Sequence, residues 1–238
     1  VGPVGLLRDA LGRAVRRALW DVVPRDQRDT PAALRRRQWV VAATLAVGAV
    51  VLGVSLRLEP GSAWFYPATL TLAAVWVAGA LASGPLHLGR IAWRSRTVRP
   101  VLTPVVLAVA MTGVFTLGAL VVREVPWLAE RVESVTEIAD AGALPLVLAV
   151  TALNGVAEEL FFRGAAYAAI PRHPVLWTTL LYGLTTLATG NAMLVLAALL
   201  LGAVVGLERR ASGGILGPAL THVTWSGSMV FVLPALFA

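Results

Sequence analysis

Long apolar runs separated by short polar breaks dominate the chain. Seven of them read as membrane-crossing helices, at roughly 39–57, 63–83, 101–122, 142–162, 174–189, 191–207 and 214–236. Apolar residues follow one another continuously within the runs, without the alternation of a barrel strand. The fifth and sixth are short for about 30 Å of hydrocarbon, and only the turn Thr189-Gly190-Asn191 separates them. The fourth continues past Arg163 toward Ile170 and stops at Pro171. Ahead of the first run the pattern is different. Leu7, Leu11, Val15, Leu19 and Val22 recur at helical spacing, and Arg8, Arg13, Arg16 and Arg17 occupy much of the remaining surface. That pattern suits a helix lying in the headgroup plane; a loose basic tail is the alternative. The arginines interrupt any apolar core and no small-residue cleavage site follows, which argues against a signal peptide. Pro24 and Pro31 break the segment before Arg35-Arg36-Arg37 and Trp39. The expected fold class is all-α: a polytopic transmembrane bundle of about seven spans over 39–238, preceded by an amphipathic basic segment over 1–38.

Composition agrees with this reading. Hydrophobic residues make up 58% of the 238, against about 45–50% in soluble domains, and the mean hydropathy is +0.77. The absence of cysteine removes disulfides and thiolate metal sites. The net charge of +7 comes entirely from arginine on the basic side and falls mostly outside the apolar runs. In such a chain it points to topology and anionic lipid before nucleic acid. Arg90, Arg94, Arg96, Arg99, Arg163, Arg172, Arg209 and Arg210 fall on the same side as the N-terminal arginines if seven spans are counted. The opposite loops hold Arg57, Arg123 and Arg131, and an acidic run of Glu124, Glu130, Glu133, Glu137 and Asp140. The positive-inside rule then puts the N-terminus in the cytoplasm and the C-terminus outside. Trp39, Trp64, Tyr66 and Trp177 lie near span ends, as interfacial aromatics do, and Gly202 and Gly206 form a GxxxG pair suited to close helix packing.

The costly residues stand out against this background. Glu158-Glu159-Leu160-Phe161-Phe162-Arg163-Gly164 closes an apolar run, and a charge at bilayer depth costs about 2.5–3.5 kcal/mol or more. Residues that expensive face a bundle interior or a wet cavity and mark function. Glu159 and Arg163 are four apart and share a helical face. Glu158 points about 100° away, with Asn154 and Phe162, and is left without a dedicated countercharge. It is therefore a candidate general base; the competing reading is a structural Glu159–Arg163 pair with Glu158 reaching for the interface. In the last run, His222 is the one histidine inside a proposed span, and Ser226 follows it by four on the same face. His87 and His173 lie in arginine-rich loops and read as solvated or headgroup residues.

The run Glu158-Glu159-x-x-Phe162-Arg163 resembles the first motif of the CPBP family, which comprises type II CAAX prenyl proteases and bacteriocin-processing or self-immunity (Abi) membrane proteins. The family's second motif is a Phe followed four residues later by His. The corresponding run is Tyr182-Gly183-Leu184-Thr185-Thr186-Leu187, with Thr186 where the histidine belongs. The third motif, His then Asn four residues later, is matched by His222 and Ser226 after the lead-in Gly213-Gly214-Ile215-Leu216-Gly217-Pro218. The resemblance covers about 150–230 and makes 142–236 the expected core.

What the resemblance implies is an intramembrane endopeptidase of a bacterial cytoplasmic membrane, cutting a membrane-associated peptide or protein tail. Glu158 would be the base, with Glu159 and Arg163 supporting it. His222 would be the acid or oxyanion partner, and Ser226 a substitute for asparagine. Thr185, Thr186 and Asn154 would supply hydrogen bonds. Thr186 cannot bind zinc as imidazole would, so no tightly bound zinc is expected, although Glu158 and His222 could hold a divalent metal. Two other readings remain at this point: a catalytically impaired scaffold that binds a peptide or lipid as an immunity or chaperone factor, and a proton-coupled carrier. A carrier would show internal repeats, and none is apparent.

Overall fold

A computed structural model describes residues 3–55, 64–93, 96–140 and 142–237. Arg57 and Arg94, two of the arginines counted for topology, lie outside the described residues. Among those described, helices cover α1 (Pro3–Leu19), α2 (Pro31–Ser55), α3 (Phe65–Ser83), α4 (Leu102–Val122), α5 (Pro126–Asp140), α6 (Leu144–Ala169), α7 (Pro174–Leu187), α8 (Ala192–Ser212) and α9 (Leu216–Phe237). A short antiparallel hairpin, β1 (Ile91–Trp93) and β2 (Arg96–Val98), joins α3 to α4 and pairs Ile91 with Val98. The protein is an all-α polytopic membrane bundle.

Proline opens α2, α5 and α7, where its fixed φ suits a first helical turn and its missing N–H has no partner to lose. Asn191 caps α8 by accepting from Met193 N at 2.9 Å and Leu194 N at 3.3 Å. Gly213 ends that helix at φ 72°, the left-handed conformation that glycine takes without strain.

Among the described residues, six helices are long and apolar enough to cross a membrane: α2, α3, α4, α6, α8 and α9. The fifth expected span differs. With 14 residues, α7 extends only about 21 Å. It packs along α8, and the contact is close because two glycines line it. A Cβ at Gly202 would stand 3.3 Å from Thr179 Cγ2, and one at Gly206 would stand 3.1 Å from Val175 Cγ1. The turn between α7 and α8 is braced by α5, since Asn191 Nδ2 donates to Arg131 O at 2.6 Å. The acidic loop expected after the third span contains this amphipathic helix, with Ala129, Val132 and Thr136 buried and Glu130, Glu133 and Glu137 exposed. The first span also begins earlier than expected, at Pro31, so Arg35, Arg36 and Arg37 are helical. Arg37 is buried against Asp29 at 2.7 Å and Ser83 Oγ at 3.2 Å.

At the arginine-rich end, the segment after α1 is bonded to the α8–α9 turn rather than loose. Val23 N donates to Ala211 O at 3.1 Å, Arg25 Nη2 to Arg210 O at 2.6 Å, and Gln27 Nε2 to Gly213 O at 3.0 Å. The loop after α3 joins from another side, with Ile215 N donating to His87 O at 2.9 Å and Leu216 N to Leu88 O at 3.1 Å. The His87 imidazole is half-buried there; burial first, then the Arg209 and Arg37 charges, lower its pKa. Leu11, Val15 and Val22 stay exposed while Leu19 is buried, which leaves the apolar face of α1 open to a headgroup layer. These contacts fix where α9 starts, and so the depth of His222.

Candidate active site

The last α-helical residue of the first part of α6 is Glu158. From Glu159 to Ala166 the helix widens into π-helical turns, a distortion that recurs at functional sites. In a regular helix neighbouring side chains diverge by about 100°. Here both carboxylates face the same imidazole. His222 Nδ1 lies 2.9 Å from Glu159 Oε1, and His222 Nε2 lies 3.9 Å from Glu158 Oε2. Gly155 faces the imidazole across the α6–α9 contact: a Cβ there would sit in van der Waals contact with His222 Cδ2, at 3.4 Å.

The two glutamates sit in different surroundings. Glu159 and Arg163 are both fully buried and bonded, Nη1 to Oε1, at 2.9 Å. The Glu159 carboxylate is an acceptor only, so the Nδ1 proton of His222 belongs to that bond. Glu158 keeps 23% of its side chain open. Its Oε2 accepts from Tyr182 Oη at 2.5 Å. The Tyr182 ring is held by Phe162 (centroids 5.0 Å apart), by the Arg163 guanidinium 4.9 Å from its centre, and by the His222 edge. Trp76 of α3 stacks on Phe161 at 4.7 Å and closes the aromatic wall. Arg209 Nε donates to Arg163 O at 2.7 Å, supporting the π-helical segment from α8.

The other residues singled out in the sequence turn to their own helices. Ser226 Oγ donates to His222 O at 2.8 Å, Thr186 Oγ1 to Tyr182 O at 2.9 Å, and Thr185 Oγ1 to the same carbonyl at 2.8 Å. Asn154 Nδ2 donates to Val150 O at 2.9 Å. Two residues of the site are not marked by the sequence. Tyr182 stands there only as part of a motif frame, and Arg209 lies beyond its expected span, whereas α8 runs on to Ser212 and buries both Glu208 and Arg209.

Residues 140–228 match the family model described as type II CAAX prenyl endopeptidase Rce1-like. No curated protein and no solved structure matches the chain. The Rce1-like stretch takes in α6, α7 and α8 and most of α9, hence every contact around Glu158 and His222. It agrees with the CPBP resemblance of the motifs and supports a CAAX-type intramembrane protease scaffold.

Zinc fits this donor set poorly. Among the described residues no group of three histidine, aspartate or glutamate side chains is arranged to hold a metal ion. Glu159 Oε1 is already shared by Arg163 and His222 Nδ1. Glu158, His222 Nε2 and the unpartnered Glu159 Oε2 remain, but Glu159 lies on the Nδ1 side of the ring and Glu158 on the Nε2 side, so they do not converge as the three protein ligands of a catalytic zinc site.

Proposed function

We propose that this chain is an intramembrane endopeptidase that hydrolyses a membrane-associated peptide or protein tail with water activated by Glu158. The observation that carries the proposal is the unequal placing of the two glutamates: Glu159 is sealed and committed to Arg163 and His222, while Glu158 is partly open beside the free face of the same imidazole. Glu158 takes a proton from water as the water oxygen bonds to the peptide carbonyl carbon. His222, oriented through Nδ1 by Glu159 and acting as the imidazolium, donates its Nε2 proton in a hydrogen bond to the oxygen on which negative charge develops. The C–N bond then breaks and the amine leaves with the proton that Glu158 held. Phe162 and Tyr182 wall the site, and lipid surrounds it.

The test is cleavage by the purified protein in liposomes, with products identified by mass spectrometry. One peptide sequence is offered in three forms: prenylated, acylated and bare. A single internal cut in an anchored form, with the bare form slower, is the expected result. Intact peptides in all three arms would overturn the proposal.

The proposed orientation follows from charge. The α1 segment, the loop after α3 and the α8–α9 turn are hydrogen-bonded together at one end, and that end carries most of the arginines. Reporter fusions at the C-terminus and beside Glu133 should both report the outside. A cytoplasmic signal from either would break the seven-span count: at the C-terminus it would show that α7 does not complete a crossing, and beside Glu133 it would overturn the orientation of the first three spans.

A further inference from the structure

We infer that the Tyr182 hydroxyl is the positioning group for Glu158, pinning Oε2 so that Oε1 is the oxygen left to take the water proton. The inference rests on the proposed hydrolysis for its catalytic meaning, but the contact itself stands on geometry. Glu158 is the partly open carboxylate of the cluster, and a side chain in that position is free to rotate unless something holds it. Its neighbour Glu159 is fixed by two charged or polar partners through one oxygen. The bond that holds Glu158 comes from Tyr182 Oη, at 2.5 Å. That distance belongs to the short, charge-assisted class of O–H···O⁻ bonds.

The phenol is itself immobilised. Tyr182 is buried, with Phe162 against its ring and Arg163 over its face. Its own backbone carbonyl accepts from both Thr185 and Thr186, which ties up the hydroxyls one turn further along α7. The hydroxyl that reaches the glutamate from α7 is therefore that of Tyr182. His222 Nε2, at 3.9 Å from the same Oε2, is beyond hydrogen-bond reach in this state. Without the phenol, Oε2 would lose its bonded partner, and the carboxylate could swing toward the imidazole or toward lipid. A phenol on a packed α7 gives Glu158 one orientation, which proton abstraction requires.

The test is Tyr182→Phe, which keeps the ring and its packing and removes only the oxygen. With Tyr66→Phe as control, two readouts are taken on the liposome-reconstituted protein. In the cleavage assay, kcat should fall about tenfold or more, the value of a hydrogen bond to a charged group, with KM within about twofold of wild type. A rise in KM at unchanged kcat, or no change in either, would overturn the inference. The second readout does not depend on turnover. Dicyclohexylcarbodiimide adds to membrane carboxyl groups, and its adduct at Glu158 is quantified by mass spectrometry. Loss of the phenol should change the Glu158 labelling rate about tenfold, while Tyr66→Phe leaves it unchanged. Equal labelling in wild type and Tyr182→Phe would show that the hydroxyl does not hold Glu158 and would overturn the inference whatever the cleavage result. A wild type that cuts nothing, with labelling that still changes in Tyr182→Phe, would sink the proposed hydrolysis and keep the positioning contact.

Discussion

Glu158→Gln should lower kcat by about 10²- to 10⁴-fold, the contribution of a positioned general base, and leave the bundle folded. The substitution is nearly isosteric. The amide oxygen can still accept from Tyr182, so the local packing survives while the group that takes a proton is gone. The side chain is also the partly open member of the cluster, at 23%, so little buried charge is disturbed. Initial cleavage rates and melting temperatures measured on the same preparation separate the two effects. A variant that still cuts at the wild-type rate would remove Glu158 from the chemistry. A variant that loses activity and melting temperature together would mean that the glutamate supports the fold instead.

The parts of this picture that were legible in the sequence are those governed by local spacing. A four-residue separation brings Glu159 and Arg163 together on any helix, and their bond is present at 2.9 Å. Apolar run lengths gave the bundle, and Pro171 the end of α6. Contacts between helices follow no spacing rule. Helical spacing links neither 159 to 222 nor 158 to 182; the motif resemblance alone assigns Glu159 and His222 to one site and gives Tyr182 no role, and those distances depend on how α6, α7 and α9 cross. The wide turns from Glu159 to Ala166 were equally hidden, because Glu-Leu-Phe-Phe-Arg-Gly-Ala-Ala has no composition that marks a π-helix. A motif frame can also misdirect. Thr186 drew the reading because a histidine was missing there, yet its hydroxyl is spent on Tyr182 O, and the polar group facing Glu158 is one turn earlier. The helix α5 is a different kind of miss. Its buried positions, Ala129, Val132 and Thr136, do repeat at helical spacing, but four acidic residues in the same helix make it read as a loop.

Glu159→Ala should destabilise the protein by about 3–5 kcal/mol, the cost of leaving one member of a buried ion pair without its partner. Arg163 is fully buried, and Glu159 is its bonded carboxylate. Two of its nitrogens, Nε and Nη2, already lack protein acceptors, so the guanidinium has no protein oxygen to turn to. Gly202 closes the space on the α8 side, since a Cβ there would lie 3.1 Å from Nη2. The same substitution also strips His222 Nδ1 of its acceptor. Glu158→Ala has no comparable consequence, because its carboxylate is partly open and its main partner is a neutral phenol. The melting temperature in detergent should therefore fall by about 10 °C in Glu159→Ala and by far less in Glu158→Ala. Removing the cation as well is the decisive control. Replacing a buried pair by apolar residues of similar volume is often neutral, so Glu159→Ala combined with Arg163→Met should recover much of the lost stability. If the double variant is as unstable as Glu159→Ala alone, the loss comes from His222 or from the cavity rather than from the stranded charge. If both single variants melt with the wild type, Glu159 and Arg163 are not a buried pair in the membrane-embedded protein.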